Sequence, residues 1–128
     1  MPGYCLRAYR SARGRSDVLD WYESLRSTDK AKIQMELQYN LRQERPWKSR
    51  FYKELKGNGQ GIAELRIKHK KTQIRLLGFF VDDVNFVVTI KCIEKSGKYD
   101  PPNAIETALR RKKEFLEGSA ASEDWFYG

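Results

Sequence analysis

The apolar positions of this chain switch between two spacings, and the switches mark out its elements. Residues 4–10 read as a first strand, after which Ser11, Gly14 and Ser16 break the pattern. Ser16 is placed to cap a helix from Asp17, in which Val18, Trp21, Tyr22 and Leu25 form one stripe while Asp20, Glu23 and Arg26 look outward. Ser27-Thr28-Asp29 reads as a break and a second cap. Ile33, Leu37 and Leu41 then repeat along a second helix, with Met35 and Tyr39 widening the stripe and Pro46 ending it. Two helices joined by a short turn make a hairpin with one apolar side, and that side needs a sheet.

From Gly61 the spacing becomes that of strands. Ala63, Leu65 and Ile67 alternate with Ile62, Glu64, Arg66 and Lys68, and residues 74–81 and 84–93 are dense apolar segments joined through Asp82-Asp83. A final helix is expected, capped by Asp100 with Pro101 at its first position and Ala104, Ile105, Ala108, Leu109 and Leu116 on its buried side. Gly118 stops it. The order strand, two helices, three strands, helix predicts one α+β domain over residues 1–118, a mainly antiparallel sheet packed on an N-terminal helical hairpin, with residues 119–128 as a tail. In that tail Trp125, Phe126 and Tyr127 follow Glu123 and Asp124, so packing on the body is its first expected role and covering a basic cleft its second.

Composition narrows the function classes. A chain of 128 residues fits one domain. No apolar run approaches the roughly 20 residues needed to cross a bilayer, and the start Met1-Pro2-Gly3-Tyr4-Cys5-Leu6 lacks a secretory core, so a cytoplasmic protein without membrane contact is expected. Cys5 and Cys92 lie in separate predicted strands and read as two thiols rather than a disulfide. His69 is the only histidine and the carboxylates lack ligand spacing, so no metal is expected. The glycines of Gly57-Asn58-Gly59-Gln60-Gly61 are not followed by a helix, which argues against a nucleotide cofactor; no cofactor of any kind is expected.

Charge points elsewhere. The chain carries 25 basic and 17 acidic side chains, a formal charge of +8, as a protein that holds a phosphate backbone would. Arg66 and Arg75 flank Lys68-His69-Lys70-Lys71-Thr72, and if that segment turns a hairpin they face each other across adjacent strands. Like charges so opposed destabilise a sheet unless an anion lies between them. Guanidinium forks suit the nonbridging oxygens of a phosphate, and the alternative is satisfaction by Glu64 and other carboxylates. Lys53 and Lys56 precede the glycine-rich loop, and Lys91, Lys95 and Lys98 follow in the last strand and beyond it. The register of the last hairpin stays open: a two-residue turn at Asp82-Asp83 pairs Arg75 with Ile90, and one extra residue pairs it with Lys91.

Glu54-Leu55-Lys56-Gly57, Gly61-Ile62-Ala63-Glu64-Leu65-Arg66-Ile67, Ile74-Arg75, the strand ending near Cys92, Glu94-Lys95 and Pro102-Asn103-Ala104-Ile105-Glu106-Thr107-Ala108 together resemble the RelE/HigB toxin superfamily, and within it the HigB or phage Gp49-like branch. The resemblance implies a toxin of a toxin-antitoxin module, a metal-independent endoribonuclease that enters the ribosomal A site and cuts messenger RNA by attack of the 2′-hydroxyl. Its expected partners are the ribosome, messenger RNA and a cognate antitoxin with a helix-turn-helix domain. On this reading Arg66, Arg75 and Lys95 are catalytic, Lys53, Lys56, Lys91, Lys98 and Tyr99 contact RNA, and His69 and Tyr99 are the candidates for proton transfer. Glu94 departs from the Lys-Lys of many HigB-like chains, and Lys95 remains. Two alternatives stand beside it: a noncatalytic RNA- or ribosome-binding protein, and a structural protein with an acidic partner.

Overall fold

The computed structural model describes residues 3–43 and 50–128. Among the described residues, seven strands, three α-helices and a 3₁₀ turn follow in the order β1 (Cys5–Arg10), α1 (Asp17–Glu23), α2 (Ser27–Leu41), β2 (Tyr52–Glu54), the 3₁₀ turn (Gly57–Gly59), β3 (Ala63–His69), β4 (Thr72–Phe80), β5 (Asn85–Lys95), β6 (Lys98–Asp100), α3 (Ala104–Leu116) and β7 (Ala121–Tyr127). The fold is α+β as expected, with the N-terminal helical hairpin on one side of the sheet and the C-terminal helix on the other. Strand order is β2-β3-β4-β5-β1-β7, with β6 on the far end of β5. Every pairing is antiparallel except β1 with β5, which is parallel.

β4 and β5 send side chains from their opposite faces to two cores, while β3 contributes to the first. Leu65, Ile67, Ile74 and Leu76 join Ile33, Leu37 and Leu41 of α2 under the helical hairpin. Leu77, Ile90 and Cys92 meet Ala104 and Ala108 of α3, whose small side chains let that helix lie close to the sheet. Ser16 caps α1 as predicted, its hydroxyl accepting from the backbone N–H of Leu19.

Several expectations change. Met35 and Tyr39 are 71% and 64% exposed, because a residue two places from Ile33 or Leu37 lies about 200° round the helix. Leu116 is exposed for a similar reason: it stands about 120° from Ala104, and Phe115 takes the inward position against Phe79. Asp100 cannot cap α3, because it belongs to β6 and pairs with Ile93; Asn103 precedes the helix instead. The Asp100-Pro101 peptide is cis. Ser27 is already inside α2, and Asp29 turns its carboxylate to the β3–β4 hairpin. The expected stop at Pro46 lies outside the described residues.

The last hairpin takes neither register considered above. Val81 donates to the Asn85 carbonyl, so the loop is Asp82-Asp83-Val84, one residue longer than the shortest turn. Asp82 closes it by accepting from the Asn85 side-chain amide and from the backbone N–H groups of Val84 and Asn85, and these bonds, the side-chain one foremost, hold its carboxyl below the ordinary range. A bulge adds a second offset: Leu77 pairs with Ile90 while Gly78 pairs with Val88, leaving Thr89 extra, its hydroxyl bonded to the Leu77 carbonyl. Arg75 therefore pairs with Cys92, and Lys91 points to the helical hairpin. Gly78 is required here, since a Cβ at that position would stand 1.9 Å from the Val87 carbonyl oxygen.

Residues 121–127, expected as a tail, form the edge strand β7. Arg7 bonds to Asp124 and Ser122, Arg10 bonds to Glu123, and Trp125 and Phe126 pack on Tyr22. The sheet order puts β7 at the opposite edge from β3, so it does not cover Arg66.

Candidate nucleic-acid interface

The β3–β4 turn is made by Lys70-Lys71, with Lys70 at φ 57°, and the hairpin brings Arg66 directly opposite Arg75. The anion between them is the protein's own. Glu64, only 2% exposed, sits two residues before Arg66 on the same face; its Oε2 lies 2.6 Å from Arg66 Nε and 3.5 Å from Arg75 Nε. Arg75 Nε also donates to Glu94 Oε1 at 2.9 Å, its Nη1 to the Ile74 carbonyl and its Nη2 to Gln73 Oε1. Two guanidiniums are thus balanced by two carboxylates. Arg75 is 7% exposed and bonded through each of its three guanidinium nitrogens, whereas the Arg66 side chain is 34% exposed and is the accessible member of the pair.

Tyr99, expected to touch RNA or move a proton, donates its hydroxyl to Glu64 Oε1. Burial, and then this bond to a carboxylate, push the phenol well above its ordinary pKa, so it stays a donor at neutral pH. Glu64 holds Arg66 more firmly protonated. Burial pushes the neighbouring Cys92 thiol up to about 12, which keeps it uncharged.

The other predicted residues spread around this centre. Lys53 lies in register with Glu64 and exposes its side chain. Lys56 opens the 3₁₀ turn and lines a cleft of about 680 Å³ with Lys112, whose Nζ donates to the Gly61 carbonyl. Lys95 and Lys98 face each other across the β5–β6 turn, and Lys95 Nζ is 3.7 Å from Asp100. The structure does not bring Lys91 to Arg66: its Nζ lies 5.3 Å from the Trp21 ring centroid on the other face. His69 is also across the sheet, its Nε2 2.8 Å from Asp29 Oδ1, a bond that lowers the Asp29 pKa.

β2 ends before β3 does, and the uncovered stretch of β3 borders a second cleft, of about 510 Å³. Arg50, Arg66, Lys68 and Arg75 line it with Gln73, Asn40 and Glu36. Four cations to one carboxylate make its wall basic. Burial raises the Glu36 pKa, and the backbone N–H of Lys68 opposes that rise. Arg50 and Lys68 escaped the sequence-based site list; the only signal for Lys68 was its parity with Arg66, and for Arg50 its charge. Such a cleft can take a phosphodiester on Arg66, Lys68 and Arg50 while Arg75 stays behind them on its carboxylates. Among the described residues no three His, Cys, Asp or Glu side chains are grouped to hold a metal ion, and no helix is long and apolar enough to cross a membrane.

An α+β sheet with a helical hairpin on one face and a basic cleft at one edge defines the class structurally. The chain belongs to the phage-derived Gp49-like family: the family model described as Phage derived protein Gp49-like (DUF891) matches residues 20–113, from α1 to the last turn of α3. No curated protein and no solved structure matches it.

Proposed function

We propose that the chain is the toxin of a toxin-antitoxin module and acts as a ribosome-dependent endoribonuclease on messenger RNA in the A site. The observation that carries this reading is the opposed Arg66–Arg75 pair bordering a basic cleft in a Gp49-like chain. Intramolecular cleavage of RNA needs the 2′-hydroxyl in line with the leaving 5′-oxygen and donors aimed at the phosphorane's extra charge. Arg66 supplies such a donor at the cleft. Arg75 supports it by fixing Glu64 and Glu94, and contacts phosphate itself only where Glu94 gives way. Lys95 and Lys98 at one end and Lys53 and Lys56 at the other extend the positive surface along the strand of message, and Tyr99 holds Glu64 in place. Acting in the cytoplasm, the toxin is neutralised by an antitoxin with a helix-turn-helix domain.

The test uses programmed ribosomes and message carrying 2′-deoxy at the cut nucleotide. Cleavage of the ribose message should leave a 2′,3′-cyclic phosphate and a 5′-hydroxyl, and the deoxy substitution should abolish it. Undiminished cutting of the deoxy message, or equal cutting of the free RNA without ribosomes, refutes the mechanism. A protein that binds ribosomes and cuts nothing is instead a noncatalytic binder.

A further inference from the structure

A second concentration of arginine lies away from the β3 edge. Arg10, Arg13 and Arg15 stand in and after β1, and Arg110-Arg111-Lys112-Lys113 occupy the second half of α3, about a hundred residues later. The fold brings the two runs together. Tyr9, Arg13, Arg110 and Arg111 line a cleft of about 330 Å³ between the β1–α1 loop and α3, with Glu114 at its wall.

The members of this cluster are held in distinct ways. Arg111 is fixed: Nη1 donates to the Thr89 carbonyl left over by the bulge, Nη2 lies 2.5 Å from Asp17, and the guanidinium sits over the Tyr9 ring at 5.3 Å. Tyr9 donates to Glu114 Oε1, and burial, then this bond, push its phenol up to about 12. Arg10 is bonded to Glu123 and to the Gly14 carbonyl. The loop is closed by the bonds of Ser11 N–H to the Arg15 carbonyl and Gly14 N–H to the Ser11 carbonyl. The three nearby carboxylates are therefore each engaged, while Arg13, Arg15 and Arg110 are exposed and make no ion pair among the described residues. An ordered loop and a rigid helix thus present uncompensated guanidiniums over a fixed one, a surface matched to consecutive phosphates.

Among the described residues this surface offers no base-stacking platform: Tyr9 is the one aromatic residue of them that lines the cleft, it is 4% exposed, and the Arg111 guanidinium lies over its ring. Single-stranded RNA is gripped largely by stacking on exposed rings, whereas a duplex is met through its backbone. We infer that Arg13 and Arg110, beside Arg111 in this cleft, with Arg15 exposed on the same loop, form a second RNA site that binds the phosphate backbone of double-helical RNA, separate from the Arg66 cleft. The inference rests on the proposal that the chain works on RNA, and it assigns this site docking rather than cleavage.

Binding of a labelled RNA hairpin duplex and of a single strand of equal length is measured against salt for the wild type, for R13A/R110A and for a control pair in and just after α2, Lys32→Ala with Arg42→Ala. Both double variants lower the formal charge equally, and both touch only exposed side chains. R13A/R110A should weaken duplex binding at least tenfold and reduce the slope of log affinity on log salt by about 1.4–1.8, as expected for two lost phosphate contacts. The α2 pair should change the slope by less than half as much, and the single strand should lose less than the duplex. Equal effects of the two pairs, a larger loss on the single strand, or no duplex binding by the wild type overturns the inference. Loss of duplex binding with cleavage activity absent from every protein would retain the docking site and reject the endoribonuclease.

Discussion

Replacing Glu64 by Gln tests the reading of the arginine pair at its centre. The change keeps the volume but removes the charge that lies 2.6 Å from Arg66 and 3.5 Å from Arg75, and it turns one acceptor oxygen into a donor among donors. Removing one partner of a fully buried pair costs about 3–5 kcal/mol. Two features reduce that here: the Arg66 side chain is one-third exposed and can recover water, and Arg75 keeps Glu94. A loss of about 2–3 kcal/mol follows, large against the roughly 5–15 kcal/mol of a domain. Urea unfolding at neutral pH should show it as a lower midpoint with an unchanged slope. Sulfate should then restore more stability to the variant than to the wild type, because an anion can enter between two arginines that have lost theirs. A loss below about 0.5 kcal/mol, or equal sulfate effects in both proteins, refutes the argument that Glu64 is the counterion of the pair.

Arg66→Ala should abolish message cleavage on programmed ribosomes while the domain stays folded, at a cost of about 1–2 kcal/mol in urea, because buried Glu64 loses its nearer counterion but keeps Arg75 and Tyr99. Arg75→Ala, which takes the guanidinium from part-buried Glu94 and leaves Glu64 to Arg66 and Tyr99, should lower stability by about 2–3 kcal/mol in urea; intact cleavage by the first variant or normal stability of the second contradicts the division of roles. Gly78→Ala should cost more than about 3 kcal/mol or prevent folding, since its Cβ would stand 1.9 Å from a backbone oxygen, and a normal unfolding midpoint would show that the bulge yields. The Asp29 pKa is depressed, mainly by His69, so its contribution is present above the ordinary aspartate value and is lost as pH falls through the folded one. The gap in urea midpoint between wild type and Asp29→Asn should accordingly be open at pH 5 and close toward pH 2; a gap independent of pH counts against the contact.

What the chain declared in advance follows from how far each feature reaches. The Arg66–Arg75 opposition was legible because a two-residue Lys70-Lys71 turn and period-two alternation are local. The anion the pair requires was legible in kind, and Glu64 is two residues from Arg66 on the same strand. Glu94 and Tyr99 were not legible as partners, because their distance depends on pairings across β4, β5 and β6. β7 was missed because its residues find β1 more than a hundred positions away, and no local signal marks such a pairing. The β4–β5 register is the instructive failure. One residue added in the loop and one in the bulge each reverse the face of every side chain beyond them, so together they restore it. Lys91 thus points away from Arg75, as the shortest turn would have it, while the partner of Arg75 shifts by two, from Ile90 to Cys92. Face survives an even error in register and neighbourhood does not. A sequence therefore assigns residues to a basic face more securely than it says which carboxylate each cation meets, and here that second question decides whether an arginine is accessible to phosphate or already held by the protein.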